Sequence, residues 1–188
     1  VLVRYLLPRL AAHQLPRARR AVEGALDVLE RRVGPYPYDT LTVVLPPYHA
    51  RHTAGMEYPT LIAGSVGDPL WDGFPAGALR AAQHTLVHEL VHQYFYGVLA
   101  TDEQREAFLD EAFTSSWDTR VMNPIYGAPA ALGRVLGRGL DATELYGLTQ
   151  AGLRGRMRQP VRTSPSALFY PGTHGAQLYG RGAASLWT

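Results

Sequence analysis

Cysteine is absent from the 188 residues. No disulfide can form, and no thiolate is on offer to a metal. The same absence leaves the compartment open, because a cysteine-free chain suits either redox environment. Lysine is missing too: all 18 basic residues are arginine, set against 16 acidic ones for a formal charge of +2. Asparagine occurs once, at Asn123. With plentiful Ala, Gly, Pro and Arg, these gaps read as compositional drift and not as function. The basic residues are not gathered into the face that a nucleic-acid binder presents. Their densest group, Arg154, Arg156, Arg158 and Arg162, reads as a solvated helix end or loop. No apolar run approaches the roughly 20 residues needed to cross a membrane. Arg4 and Pro8 interrupt the only apolar start, so no signal peptide is visible. Neither nucleic acid nor a membrane segment is therefore expected. What remains is 46% hydrophobic and 18% charged, enough for one domain with a proper core.

Periodicity organises the chain. His13 to Val33 carries Leu15, Ala18, Val22, Leu26, Leu29 and Val33 at helical spacing, with Gly34, Pro35 and Pro37 as a stop. Leu41 to Leu45 is a short β-branched run bounded by Pro46 and Pro47, which predicts a strand. Gly55 to Ala63 predicts a second strand, and 64–73 a loop. Pro75 suits the first turn of a helix that runs to Tyr96 and ends before Gly97. Leu79, Leu86, Val87, Leu90, Val91 and Phe95 lie on most sides of it, the mark of a buried helix. Glu106 to Met122 predicts another helix, stopped by Pro124. Residues 125–160 read as weak helix rich in glycine, 161–175 as loop, and Ala176 to Thr188 as the start of a last helix. No repeat and no linker divides the chain, so one domain is expected over 1–188.

The buried helix contains His88-Glu89-Leu90-Val91-His92, an HExxH pattern. Residues four apart stand one above the other on a helix, so two imidazoles can converge on one ion. The Glu between them is turned to one side, within reach of a water on that ion, and can act as its base. Were the two histidines only core residues, the helix would bury unpaired polar groups at real cost. Zinc takes a third protein ligand and keeps a fourth position open for water. A third His six residues after the second would fall at Val98, so that arrangement is excluded. Glu111 lies in the next helix, with eighteen residues between it and His92. The stretch Gly97 to Glu103 supplies the turn that brings that helix back. Asp110 competes for the same role. His84 shares a face with His88 and His92, but it stands about 12 Å from His92 along the axis, too far to share one tetrahedral ion. A structural or supporting place fits it better. Asp118, two turns after Glu111, is on the same face and placed to accept the second ring N–H of a metal-bound histidine.

Two outer stretches complete a pattern. Gly55-Met56-Glu57-Tyr58-Pro59 precedes the histidines, and Tyr179-Gly180-Arg181-Gly182 follows them. Between these lie His88 to Gly97, with its aromatic Tyr94-Phe95-Tyr96, and Leu109-Asp110-Glu111-Ala112-Phe113. In this order the four stretches resemble the aminopeptidase N-like zinc peptidases, peptidase family M1 among the gluzincins. The resemblance covers roughly residues 34–188. Three positions depart from the family pattern: Tyr58 stands for the usual Asn, Ala112 for a Gly, and Arg181 for a Lys.

The resemblance implies an α+β fold. It would be a thermolysin-like zinc peptidase catalytic domain, with a small mixed β-sheet lobe, a helical lobe and the metal at their junction. It implies one zinc per chain on His88, His92 and Glu111, with Glu89 as catalytic base. Tyr179 would donate a hydrogen bond to the developing oxyanion. Gly55 and Met56 would lie on an edge strand that pairs with an extended peptide. Glu57 would grip the substrate's α-amine, which restricts cleavage to peptides with a free N-terminus. In the family a β-rich domain precedes this core and a helical domain follows it, so 1–188 is expected to be part of a longer multidomain protein. Two other functions fit the same motifs: a thermolysin-type endopeptidase, and an inactive zinc-binding scaffold on a peptidase fold. Intact Glu89 and Tyr179 argue against the scaffold.

Overall fold

A computed structural model describes residues 1–50, 55–65, 80–128, 133–135 and 138–141. Its first element is one that helical periodicity passes over, strand β1 (Leu2–Leu6). It pairs in parallel with β2 (Thr40–Val44), Leu2 against Thr40 and Leu6 against Val44. Adjacent parallel strands need a long crossover. Here it is α1 (Leu15–Arg32), entered through a 3-10 turn at Arg9–Gln14. Pro16 stands in its first turn, where its missing N–H costs nothing. After α1, Gly34 takes φ 148° and its N–H bonds back to the Leu29 carbonyl at 3.2 Å, the stop that the sequence signals.

Strand β3 (Leu61–Ala63) joins the other side of β2, also in parallel, giving the order β1-β2-β3. The expected mixed sheet is thus parallel in its three strands. Its antiparallel contribution is one bridge, Met56 to Ala63, closed by bonds of 2.8 and 3.1 Å. The strand expected over Gly55–Ala63 therefore breaks in the middle. Pro59 has no donor for a ladder, and Thr60 sits at φ 60°, so the chain turns between Met56 and β3.

Helix α2 (Ala81–His92) carries the HExxH pattern. It stops four residues before the expected end, and 93–98 run through turns. The Gln93 N–H bonds to Leu90 at 3.1 Å and the Gly97 N–H to His92 at 2.9 Å, tighter and wider than helical spacing. Helix α3 (Glu103–Tyr126) runs past its expected end, and a kink at Glu106, its expected start, sets off the turn that precedes it. Asp102 caps its start by accepting from the Arg105 N–H at 3.2 Å. Pro124 does not stop it. Proline removes the bond to the carbonyl four residues back, that of Arg120, and Arg32 of α1 donates to that carbonyl at 3.2 Å instead. Arg20 of α1 likewise donates to the Ile125 carbonyl at 3.0 Å, a cation at a helix C-terminus. Residues 125–160 are not helical where described beyond α3: β4 (Gly133–Val135) and β5 (Arg138–Leu140) form an antiparallel pair. The segments read as loop and last helix over 161–188 lie outside the described residues.

One core joins α1, the sheet, α2 and α3. Leu29, Leu41, Val43, Ile62, Val87 and Leu90 are fully buried in it, with Val121 closing it from α3. The core fixes α2 beneath the edge of β3, and α3 against α2. Among the described residues no helix is long and apolar enough to cross a membrane. Leu29 is the α1 side chain with most to lose. Leu29→Ala should cost about 3 kcal/mol of unfolding free energy, read as a fall in denaturant midpoint at constant slope. A cost below about 1 kcal/mol would show that α1 does not close this core.

Candidate metal centre

The packing of α2 on α3 sets a row of histidines against a row of acids. His84, His88 and His92 recur every four residues along α2, on one face. Asp110, Thr114 and Asp118 recur every four along α3, with Glu111 beside them. The helices run in opposite directions, so the late acid meets the early histidine. Asp118 lies 3.1 Å from His84 Nε2 and 3.1 Å from His88 Nδ1. Asp110 takes a hydrogen bond from His92 Nδ1 at 2.7 Å, and the Thr114 hydroxyl is 3.1 Å from the same nitrogen. Asp110, Thr114 and Asp118 are all buried.

An ionised carboxylate only accepts, so each Nδ1 carries a proton toward its acid and each Nε2 is the ring nitrogen left to face an ion. The two Nε2 atoms converge. His88 Nε2 and His92 Nε2 are 3.3 Å apart. Glu111 Oε2 stands 3.2 Å from the first and 3.5 Å from the second. Three donors at about 2.0–2.2 Å from one tetrahedral centre are about 3.3 Å from each other. The two nitrogens and one oxygen thus have the spacing of a ligand set around a single ion, and an N₂O set suits zinc.

The charges agree with that geometry. Burial pulls the His88 ring down, but the facing Asp118 and Glu111 hold it well above its ordinary value. Burial opposes charge on His92 as well, and Asp110 and Glu111 carry it up to about 10. Burial raises Glu111, yet the two imidazoles bring it down to about 2. Asp118 is likewise held well below the carboxylate range by His88 and His84, against the effect of its burial. Three acids thus face two imidazoles in a dry seam and demand positive charge. A divalent ion meets that demand by replacing protons at the ligand atoms.

Glu89 projects from the same turn of α2 and is buried. Its burial pushes the carboxyl up to about 8, with Glu57 and Glu111 adding to the rise and the imidazoles opposing it. The sheet edge comes down onto it. A Cβ on Gly55 would fall 1.9 Å from Glu89 Oε1 and 2.4 Å from its Cδ. A side chain at 55 would have to displace Glu89, because the backbone there lies against its carboxylate. Met56 bridges to Ala63 at the edge of the sheet and is itself exposed. The Glu57 side chain turns inward, and one ligand atom each of Glu57, Glu89 and His92 lie within 4.8 Å of one another.

The structure therefore brings together His88, His92, Glu111, Glu89, Asp118, Gly55 and Glu57. Tyr179, with the stretch that follows it, lies outside the described residues. Two residues enter a place that the sequence did not assign to them. Asp110, weighed as a competing ligand, holds the far side of the His92 ring. Thr114 went unread, although its spacing of four from both Asp110 and Asp118 was a signal for it.

Comparison with known proteins supplies independent findings. The model of the Peptidase family M1 domain matches residues 20–147. A search among curated proteins found no match. Among solved structures, the M1 zinc metallopeptidase from Deinococcus radiodurans superposes with a TM-score of 0.59 at 20% identity, over 89% of this chain and 31% of that one. A point variant of it, bound to a Tyr-Ser-Ala substrate, gives 0.55 at 22% identity, over 87% and 30%. Leukotriene A4 hydrolase from Saccharomyces cerevisiae gives 0.61 at 13% identity, over 97% and 28%. These likenesses extend to the fold. The chain spans about a third of the length of the solved structures that it matches.

The paired acids behind the histidines carry a testable consequence. Asp110→Asn and Asp118→Asn should each weaken zinc binding about 10- to 100-fold, read by competition with a calibrated chelator. The double variant should lose more than either. Unchanged affinity in both single variants would show that neither acid orients a ligand.

Proposed function

The chain belongs to peptidase family M1, and on that premise we propose that it is the metal-binding core of a zinc-dependent aminopeptidase, releasing residues from the N-terminus of peptides. One observation carries the hydrolase reading: the convergence of His88, His92 and Glu111 at 3.2–3.5 Å with Glu89 buried beside them. We read the chain as one thermolysin-like catalytic domain. Its third of the length of the solved relatives supports further domains in the parent protein.

Zinc, when bound, lowers the pKa of a water and polarises a peptide carbonyl. His88, His92 and Glu111 hold one ion. Asp118 and Asp110 keep the two rings turned toward it and their protons on Nδ1. Glu89 takes a proton from the attacking water and returns it to the leaving amine. Gly55 presents its backbone over Glu89, close enough to restrict where that carboxylate can swing. Tyr179 is assigned the oxyanion hydrogen bond, and its support is the resemblance of Tyr179-Gly180-Arg181-Gly182 alone.

Restriction to the N-terminus is given to Glu57. Its carboxylate faces Glu89 and His92 within 4.8 Å, so a substrate ammonium there would lie one residue from the scissile bond. An internal peptide has no such cation, and leaves a half-buried acid unpaired. Met56 and Tyr58, both exposed beside it, are free to line the approach of the peptide.

Mass spectrometry of one peptide, offered with free and with acetylated N-terminus to the zinc-loaded chain, decides the reading. Stepwise loss from the free form alone is expected. Glu57→Ala should lower kcat/KM on the free form about 10- to 100-fold. Internal cuts in both forms would overturn the aminopeptidase reading in favour of an endopeptidase. Zinc binding without any cleavage, also in the full-length protein, would leave a scaffold. Gly55→Ala gives a separate check. It should cut kcat at least about 100-fold by displacing Glu89, with zinc content unchanged. A fully active Gly55→Ala protein would mean that Glu89 is not held under that strand.

A further inference from the structure

Gln93 directly follows His92 and is 1% exposed. Its amide is engaged on every side. The Thr60 N–H donates to Oε1 at 2.9 Å, and the Tyr36 hydroxyl approaches the same oxygen at 3.4 Å. Burial pushes Tyr36 up to about 12, so its hydroxyl keeps the proton to give. On the other side Nε2 donates to the Tyr58 carbonyl at 3.1 Å and reaches the Glu57 carbonyl at 3.4 Å. Two donors face the oxygen and two carbonyls face the nitrogen, so the surroundings admit one orientation of the amide.

Everything that Gln93 holds, apart from Tyr36, belongs to the turn 57–60. That turn buries little side chain, with Tyr58 57% exposed and Met56, before it, 42%; besides Gln93 it is held by the Leu61 N–H to the Tyr58 carbonyl at 2.9 Å and the Thr42 N–H to the Thr60 carbonyl at 2.8 Å. Thr60 is β-branched at φ 60°, a conformation that the chain must be compelled to keep. Its N–H points at Gln93, so the same amide that satisfies the turn also holds its strained residue. We propose that Gln93 is a positioning residue that ties the Glu57 turn to the metal-bearing helix and thereby sets the distance from the amine-binding carboxylate to the reacting centre. The consequence for substrates rests on the aminopeptidase reading; the tie itself does not. A carboxylate that must meet an ammonium one residue from the cut needs placement to about 0.5 Å. One buried amide refers that placement to the helix, by joining position 93 of the helix terminus to positions 57, 58 and 60.

The tie predicts a split among properties. Gln93→Met removes all four contacts and keeps an unbranched side chain. The zinc-loaded variant should still bind one zinc per chain. Amide exchange at Thr60 should speed up about tenfold or more, while that of Leu45, bonded within the sheet to Leu6, stays as in the parent. KM for peptides with a free N-terminus should rise about tenfold, with kcat changed by less than about threefold. Gln93→Glu keeps the acceptor for Thr60 and Tyr36 but sets a carboxylate oxygen against the two carbonyls. It should raise KM while leaving Thr60 protected, and it decides the matter if the Met variant does not fold. Unchanged KM in both variants would overturn the proposal, as would a joint loss of zinc and kcat with KM unmoved. A parent protein that cleaves acetylated and free peptides alike would overturn the aminopeptidase reading instead. In that event Thr60 exchange alone decides the tie: faster exchange in Gln93→Met upholds it, and unchanged exchange overturns it.

Discussion

A polar seam between two helices governs this molecule. Along α2 and α3, two imidazoles and two acids are removed from water, with Glu111 half-buried beside them, in the midst of an otherwise apolar core. Buried groups of this kind are tolerated only where each finds a partner. They find partners in one arrangement of the helices alone: antiparallel, with Asp118 at His88 and Asp110 at His92. A slip of one residue would turn the acids away from the rings and strand charge in the interior. The seam thus fixes the register of α3 on α2 more strictly than apolar packing could, since Leu, Val and Ala interchange at modest cost.

The seam also stores a demand for positive charge. With protons as its only cations, His92 holds one up to about pH 10. An ion that binds there must displace protons from nitrogens that grip them, yet it gains three acids within two contacts of itself. The acids behind the rings have opposite effects on these competitors. They favour a proton on Nδ1, where no ion binds, and make Nε2 a better donor to a metal. Orientation and basicity are thus set by the same two side chains.

Much of this seam was legible because helical geometry turns spacing into direction. His88 and His92 four apart, Glu111 with eighteen residues between it and His92, and Asp118 two turns later are read from spacing and a period of 3.6. Asp110 was weighed only as a competitor to Glu111, since spacing places a carboxylate near a ring without saying which nitrogen it meets. The helix ends were less legible. Pro124 reads as a stop, and it fails to stop α3 because Arg32, 88 residues away, donates to the carbonyl that proline leaves bare. Strand β1 was missed because only five residues, alternating weakly, carry it. Gly55 was read as part of an edge strand that pairs with a substrate. In the structure it also lies against Glu89, a contact between segments 34 residues apart that no local pattern encodes.

Those long-range contacts are where the two halves of the site meet. The helix pair holds the groups proposed for metal and base. The sheet edge holds the group proposed for recognising an N-terminus. Two of the joints between them are the backbone of Gly55 against Glu89, and the amide of Gln93 in the turn that carries Glu57. The first joint is steric, and a side chain at 55 would displace Glu89, so it constrains the base. The second is a hydrogen-bonded tie to backbone groups, indifferent to the side chains at 57, 58 and 60. A change of residue in that turn can therefore alter what the site accepts while the tie and the seam stay as they are. Selectivity can drift on the sheet edge without disturbing the chemistry on the helices. That separation follows from the kind of contact at each joint, and it accounts for Tyr58, the family's usual Asn, standing exposed on a turn whose backbone is fully held.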